Sequence, residues 1–410
     1  MTKIKYFRLA LVFMLPVAFI FSQCINSPGK AADARGDTYA GSAACLKCHK
    51  DVAHNYFHSG HYLTSRLATQ ATVHGSFKTD SNTVVFNDSV KVIMEKHTDG
   101  LYQCAYLHRK LAQQQRFDIT FGSNRGETYF YWKGNKIYQL PISYYLSLHR
   151  WANSPAYSGD SAEFGRVIGR RCFECHSSFI KNLPAEAGVS DTTNLLDKSS
   201  MILGIDCERC HGPGAKHVNF QTQTPAEKRP MYITQMNALS RQQRIDLCSQ
   251  CHGGNTRIMT RTIFDFKPGD TLAKFNSGES FHAYRDPAAI DVHGNQAKLL
   301  TSSKCYFYSK IECATCHNMH DKSIKTVQSY SQRCTGCHSE AMHNFCKMAA
   351  LDGPVINSNC IDCHMPVKTS HAIVINGSAG INPPFLARTH LIAIYPEESQ
   401  KILTWMKKKS

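Results

Sequence analysis

The amino-acid sequence predicts an α+β fold in which short helices and loops carry a repeated cysteine motif and an antiparallel β insert interrupts them. Seven copies of Cys-x-x-Cys-His are spread over 410 residues, which leaves about 59 residues for each copy. Between residues 75 and 150 the motifs stop, and the chain becomes rich in aromatic and β-branched residues. We therefore expect sparse regular structure around the motifs, and strands between the first motif and the second.

The spacing within each motif suits attachment of one flat ring to two thiols. Residues i and i+3 lie on one face of a helical turn, about 5–6 Å apart, so both thiols can reach neighbouring edges of a ring. The next histidine can place its imidazole over the ring face, toward a central metal. This pattern is typical of c-type haem, with the histidine as the proximal iron ligand. Zinc knuckles and disulfides, the alternatives, do not require a histidine after every cysteine pair.

Seven motifs predict seven covalently attached haem c groups, which use fourteen of the eighteen cysteines. The attachment cysteines are Cys45, Cys48, Cys172, Cys175, Cys207, Cys210, Cys248, Cys251, Cys313, Cys316, Cys334, Cys337, Cys360 and Cys363. The proximal iron ligands are His49, His176, His211, His252, His317, His338 and His364. With so few residues per cofactor, the haem faces themselves should form much of the apolar interior.

The formal net charge of +16 first suggests an anionic partner such as nucleic acid. The predicted leader accounts for three of those charges, through Lys3, Lys5 and Arg8. Two propionates on each of seven haems would add about −14, so the cofactors balance nearly all of the remaining excess. We therefore expect no nucleic-acid partner.

The first 23 residues have the form of a secretory signal peptide, with a basic start and a short apolar run over residues 6–21. Cys24 stands where a lipoprotein carries its acylated cysteine, although Gln23 is not the small residue that usually precedes it. Cleavage near Ala34 is the alternative. Either way we expect a protein of the periplasm or cell envelope, and a lipid anchor at Cys24 would attach it to the membrane.

Composition and motif spacing divide the rest of the chain into six segments. The predicted segments are a flexible tether at 24–38, a first haem site at 39–74, the antiparallel β insert at 75–150, haem sites two to four with a long loop at 151–304, haem sites five to seven at 305–372, and a tail with a helix at 373–410.

Three local signals predict particular turns and helices. Gly134-Asn135 lies between two aromatic-rich runs and is typical of a two-residue hairpin turn. Ser240 and Gln243 match a capping box, which predicts a short helix leading to Cys248. In the tail, acidic residues precede lysines over residues 396–409, an order that suits the dipole of a helix.

Fourteen of the 21 histidines lie outside the motifs, and bis-histidine ligation of seven haems would use seven of them. His320 follows His317 too closely to serve the same iron, so we expect it to bind a neighbouring one. His58 is the alternative to His61, since both lie on one helical face. The histidines that rank after His320 are His217, His293, His371, His61 and His149.

The remaining cysteines and the histidines of the β insert are given ordinary roles. We expect buried free thiols, or one structural disulfide, in preference to a reactive thiolate. The histidines of the insert are interpreted as ordinary polar residues. The cysteines concerned are Cys104, Cys305 and Cys346, and the histidines are His74, His97 and His108.

Longer stretches around the motifs carry a family resemblance. They are YAGSAACLKCHKDV near the start, GIDCERCHGPGAKH in the middle, SKCYFYSKIECATCHNMH and NCIDCHMP near the end, and GETYFYWKGNKIYQLPISYY in the β insert. Over most of residues 39–372 the chain resembles multihaem c-type cytochromes of the cytochrome c-552/4 family. The resemblance implies covalently bound haem c and distal iron ligands at His61, His217, His293, His320 and His371.

We expect an electron-transfer protein outside the cytoplasm, with redox proteins as partners and no catalytic residues. His317 and Cys334 are close in sequence, which forces two haems near each other. The alternative is a terminal oxidoreductase in which one five-coordinate haem acts on a small nitrogen or sulfur compound. Related enzymes sometimes mark that haem with Cys-x-x-Cys-Lys, and no such motif occurs in the sequence.

Overall fold

The structure is a computed structural model that describes residues 33–157, 159–184, 194–254, 257–279, 286–321, 326–339, 342, 345–348, 356–376 and 382–407. The predicted signal peptide, Cys24 and most of the predicted tether lie outside these residues. Helices and strands occur together, so the predicted α+β class is confirmed.

The α-helices of the described residues are short. They are α1 Ser42–Cys45, α2 Lys50–Tyr56, α3 Arg170–His176, α4 Cys207–His211, α5 Ala215–Gln223, α6 Arg241–His252, α7 Gln296–Thr301, α8 Lys304–Tyr308, α9 Cys313–Cys316, α10 Val327–Thr335, α11 Cys360–His364 and α12 Pro396–Lys407.

Most of the described strands lie between the first and second motifs. The strands are β1 Ser65–Leu67, β2 Thr83–Val85, β3 Val90–His97, β4 Gly100–Leu107, β5 Lys110–Arg116, β6 Ile119–Phe121, β7 Gly126–Lys133, β8 Lys136–Gln139, β9 Ile142–Tyr145, β10 Arg150–Asn153, β11 Val167–Ile168, β12 Ser177–Asn182, β13 Leu196–Leu203, β14 Arg257–Met259, β15 Asn276–Glu279, β16 Val367–Val374 and β17 Pro384–Arg388.

Two antiparallel sheets dominate the strand-rich region. A seven-stranded sheet has the order β1-β6-β7-β8-β11, with β9 paired to β7 and β10 paired to β9. A four-stranded sheet has the order β2-β3-β4-β5, in which each strand pairs with the next one along the chain. The predicted hairpin at Gly134-Asn135 is confirmed, because Lys133 pairs with Lys136 across a two-residue turn and Gly134 has a φ of 59°.

The two sheets enclose the main hydrophobic core. Met94, Leu101, Tyr129 and Leu140 are among its most buried side chains, and none is more than 2% exposed. A second cluster joins Phe121 and other residues of the seven-stranded sheet to Phe173 on helix α3, which carries the second motif. The strand-rich region therefore packs directly on a motif helix.

Helix signals predicted from the sequence are present at both places where they were expected. The Ser240 hydroxyl accepts a hydrogen bond from the Gln243 amide, and the Gln243 side chain bonds back to the Ser240 amide, which completes the capping box of α6. Helix α12 begins at Pro396 with Glu397 and Glu398 in its first turn, in agreement with the predicted dipole match. Within the described residues, no helix is both long and apolar enough to cross a membrane.

The core of the four-stranded sheet can be tested with a matched pair of leucines. Leu101 on β4 is 2% exposed, whereas Leu111 on β5 is 51% exposed. Leu101→Ala should lower the free energy of unfolding by about 2–5 kcal/mol, because it opens a cavity in a packed core. Leu111→Ala should change it by less than about 0.5 kcal/mol. Urea unfolding followed by far-ultraviolet circular dichroism measures both, and equal effects would contradict the assigned packing.

Candidate haem-binding sites

Every motif lies on a short helix or in the turn that follows one. Helices α4 and α11 consist of motif residues alone, whereas α3 and α6 end on the motif histidine. Helix α9 holds the two cysteines of the fifth motif, and His317 follows it directly. The first motif begins at the end of α1 and the sixth near the end of α10, and both continue into a turn. Since residues i and i+3 share a helical face, each motif presents its two thiols side by side.

Four motif histidines face a histidine from a distant part of the chain. Two metal–nitrogen bonds of about 2 Å each place the ligating nitrogens about 4 Å apart, and half a ring on either side brings the ring centres to about 6 Å. Each pair therefore has room for one metal atom between its rings. The pairs and the distances between ring centres are His49 with His217 at 6.4 Å, His211 with His320 at 5.9 Å, His252 with His61 at 6.0 Å, and His317 with His390 at 6.2 Å.

In four histidine rings, a hydrogen bond at Nδ1 leaves Nε2 as the nitrogen available to a metal. A ligating imidazole commonly uses its second nitrogen to donate to an oxygen, which sets the tautomer and the ring orientation. The Nδ1 atoms concerned and their oxygen partners are His176 with Thr64 Oγ1 at 3.0 Å, His217 with the Met231 carbonyl at 2.8 Å, His252 with Gln296 Oε1 at 3.2 Å, and His364 with the Ala393 carbonyl at 2.9 Å. In each ring this leaves Nε2 to act as the ligand, so the donor set fits haem iron.

Burial keeps the key imidazoles in the neutral form that a metal requires. It lowers the pKa of His61, His176 and His390 to about 4. For His61 the nearby His252 acts in the same direction, and for His390 the nearby His317 does so. These rings are therefore unprotonated at neutral pH, with a lone pair available for ligation.

The surroundings of His176 show how the strand-rich region contributes to a site. Phe121 of β6 stacks on the His176 ring, with ring centres 4.8 Å apart and an angle of 8° between the planes. Thr64, just before β1, contacts its Nδ1. His293 lies near enough to oppose protonation of His176.

The histidines singled out in the sequence have different positions in the structure. His61, His217 and His320 each face a motif histidine. The His293 ring packs edge-on against Phe385, with ring centres 5.7 Å apart, and burial lowers its pKa. His371 lies exposed on β16, where its backbone amide donates to Asp291. The lower-ranked His58 and His149 are also exposed.

His390 is a site residue that the sequence ranking did not include. It lies beyond the seventh motif, yet its ring is opposite His317 of the fifth. Its neighbours Thr389 and Leu391 are both buried. A histidine inside the apolar run LARTHLIAIY was the signal that could have identified it.

A buried charge cluster connects the start of the described chain to the third motif. The Arg35 guanidinium lies 2.9 Å from Asp33, 2.7 Å from Asp206 and 3.1 Å from Glu208, and its side chain is 6% exposed. Glu208, within the third motif, also accepts hydrogen bonds from the amides of Ala40 and Gly41 at 2.8 Å each. Burial opposes the charge on Arg35, but Asp33 and Asp206 outweigh it and raise its pKa. The cluster holds the first motif segment against the third motif.

The motifs and the opposed imidazoles define a protein that binds several c-type haems. Residues 152–212 match the family described as cytochrome c554 and c-prime. The C-type polyheme cytochrome OmcB of Geobacter sulfurreducens is 28% identical over an alignment of 177 residues, which covers 38% of this chain and 21% of OmcB. Multiheme cytochrome MtrA of Shewanella baltica is 23% identical over 194 residues, 47% of this chain and 51% of MtrA.

These matches agree with the motifs and support a multihaem c-type cytochrome. The chain spans about a fifth of OmcB and about half of MtrA, so the likeness covers only part of each relative. No solved structure matches the chain.

Removing Arg35 tests the buried charge cluster. Arg35→Met should lower the free energy of unfolding by about 3–5 kcal/mol, because it removes the cationic partner of three buried carboxylates. Arg229→Met is the matched control, since Arg229 pairs with Glu227 at 2.6 Å but its side chain is 76% exposed. The urea midpoint of the control should stay close to that of the unmodified protein. A small effect of Arg35→Met would show that the cluster does not stabilise the fold.

Proposed function

We propose that the chain carries electrons outside the cytoplasm through seven haems attached at its seven motifs, with redox proteins as partners. When bound, the haems supply the redox chemistry, and the residues of this chain fix their order, spacing and axial ligands. The observation that carries the proposal is that thiols of different motifs act on each other's ionisation, and that three of these pairs lie on helices that pack together.

Four such pairs link the motifs. In each pair one thiol acts on the pKa of the other, and the two thiols come from motifs that are far apart in sequence or separated by a loop. The pairs are Cys45 with Cys207, Cys175 with Cys251, Cys248 with Cys313, and Cys334 with Cys360. Because each motif thiol marks the edge of an attached ring, thiols near enough to act on each other imply close approach of two ring edges.

Weaker electrostatic contacts join these pairs into one series of sites. Cys210 of the third motif acts on the ionisation of Cys248 in the fourth, and Cys316 of the fifth acts on Cys334 in the sixth. The sites then adjoin in the order one, three, four, five, six, seven. The second site adjoins the fourth, through Cys175 and Cys251, and forms a branch.

The opposed imidazoles supply the proposed axial ligands. We assign His217 to the first site, His320 to the third, His61 to the fourth and His390 to the fifth. His293 is assigned to the second site, because it lies near His176. Ligation by His371 stays a prediction from the resemblance. The lipid anchor at Cys24 and the location in the periplasm or cell envelope stay predictions from the N-terminal sequence.

The number of haems is tested by mass. Seven thioether-linked haems should add seven haem masses to the processed polypeptide, and a pyridine haemochrome assay should give seven haems per chain. Cys360→Ser combined with Cys363→Ser should remove one haem, because the seventh motif then has no thiol for attachment. Cys305 and Cys346 lie outside the motifs, and their joint replacement by serine is the control. This variant should still carry seven haems per chain. A count of two or three in the unmodified protein would refute the proposed series.

The axial ligands are tested by spin state. If all sites are six-coordinate, the oxidised protein should give low-spin EPR signals, and the reduced protein should not bind carbon monoxide. His320→Ala and His390→Ala should each convert one haem to high spin, because each removes one axial ligand. His54→Ala is the control, since His54 is exposed on α2.

Each result of this experiment has a definite meaning. Unchanged spectra in His320→Ala would refute the ligand assignment while leaving electron transfer intact. A high-spin haem in the unmodified protein that binds carbon monoxide would instead favour a terminal oxidoreductase.

A further inference from the structure

Three metal-ligating side chains meet on the four-stranded sheet, away from the Cys-x-x-Cys-His motifs. Glu95 and His97 are two residues apart on β3, so they share one face of the strand. Cys104 on β4 lies opposite Ile93, which is on that same face. The other face of these strands carries Met94 and other residues of the hydrophobic core. The cluster therefore lies on the side of the sheet that is turned away from the core.

We propose that Glu95, His97 and Cys104 bind a zinc ion through one carboxylate oxygen, one imidazole nitrogen and one thiolate. One ligand atom from each residue lies within 4.8 Å of the other two. Zinc–ligand bonds of about 2.0–2.3 Å separate tetrahedral ligands by about 3–4 Å, so small side-chain rotations complete the site. Binding releases the thiol proton of Cys104 to solvent.

Neighbouring side chains hold Glu95 and His97 in place. Tyr106 donates a hydrogen bond of 2.8 Å to Glu95 Oε1, and Glu95 Oε2 lies 3.0 Å from Nε2 of His97. The His97 ring stacks on Tyr102, with ring centres 4.5 Å apart. Contacts of this kind orient metal ligands and raise the affinity of a site. The ligands are thus already gathered, and the ion has only to replace hydrogen bonds between them.

The chemistry of the donors selects the class of metal. A thiolate and an imidazole favour borderline ions such as zinc over magnesium or calcium, which prefer oxygen ligands alone. Cys104 is fully buried, whereas the side chains of His97 and Glu95 are 33% and 27% exposed, so an ion would enter past these two side chains. With three protein ligands, water would occupy the fourth position.

Zinc content provides the test, and iron in the same sample provides the internal standard. The haem-loaded protein is treated with chelator, incubated with Zn²⁺ and dialysed, and the ratio of zinc to iron is measured by mass spectrometry. We expect about one tightly bound zinc per chain. Cys104→Ser and His97→Gln should each lower the zinc affinity by at least about 100-fold, since even the loss of an outer-shell contact costs 10–100-fold.

Matched variants separate this site from adventitious binding. His108→Asn replaces an exposed histidine in the β4–β5 turn, where a φ of 48° is tolerated by Asn. Cys305→Ser replaces a free thiol outside the sheet. Both should bind zinc like the unmodified protein. If zinc binding is unchanged in Cys104→Ser and His97→Gln, or if no zinc is retained, the proposal is wrong.

A spectroscopic measurement on the unmodified protein avoids dependence on variants that fold poorly. The X-ray absorption spectrum at the zinc edge does not overlap with haem iron. It should show one zinc–sulfur distance of about 2.3 Å together with nitrogen and oxygen neighbours. A shell of nitrogen and oxygen alone would overturn the assignment of Cys104.

Discussion

The opposed imidazole pairs are the interaction on which the rest of the structure depends. They join histidines that are between about 70 and about 190 residues apart, and each doubling of such a loop adds only about 0.6 kcal/mol of closure entropy. Long separations therefore cost little, provided that the two rings arrive with their ligating nitrogens turned toward each other. Short helices and turns meet this condition, because they orient a motif histidine while only a few residues adopt regular secondary structure. This explains why the motif regions contain so little regular structure.

The chain uses two different kinds of interior. Between Ser65 and Asn153, sheets bury a continuous set of aromatic and aliphatic side chains, as in an ordinary domain. Beyond Thr301 the buried apolar residues of the described chain are Ile356, Ile361, Ile375, Ala387 and Leu391. So small a set cannot offset the conformational entropy of ordering such a segment. Attached haems would supply the missing apolar surface, which couples folding of this region to cofactor attachment.

Local features of the sequence were predictable because each depends on a few adjacent residues. The hairpin at Gly134-Asn135 and the capping box at Ser240 follow from turn and cap chemistry alone. His320 could be selected because it is too near His317 to share its iron. His390 could not, since the path of the chain between the seventh motif and β17 decides which histidine it meets. Contacts between motif thiols were equally hidden, because they depend on how distant segments pack.

The distal positions also explain how neighbouring sites keep a fixed separation. His217 follows His211 of the third motif after a Gly-Pro-Gly turn, yet its ring faces His49 of the first. The turn is held by Gly212, whose φ of 77° suits glycine, and by the Gly214 amide, which donates to Glu208 at 2.7 Å. Under the proposed ligand assignment, the short segment 211–217 would contribute a ligand to each of two sites. The distance between those sites would then be set by covalent backbone rather than by side-chain packing, which is the more rigid way to space two redox centres.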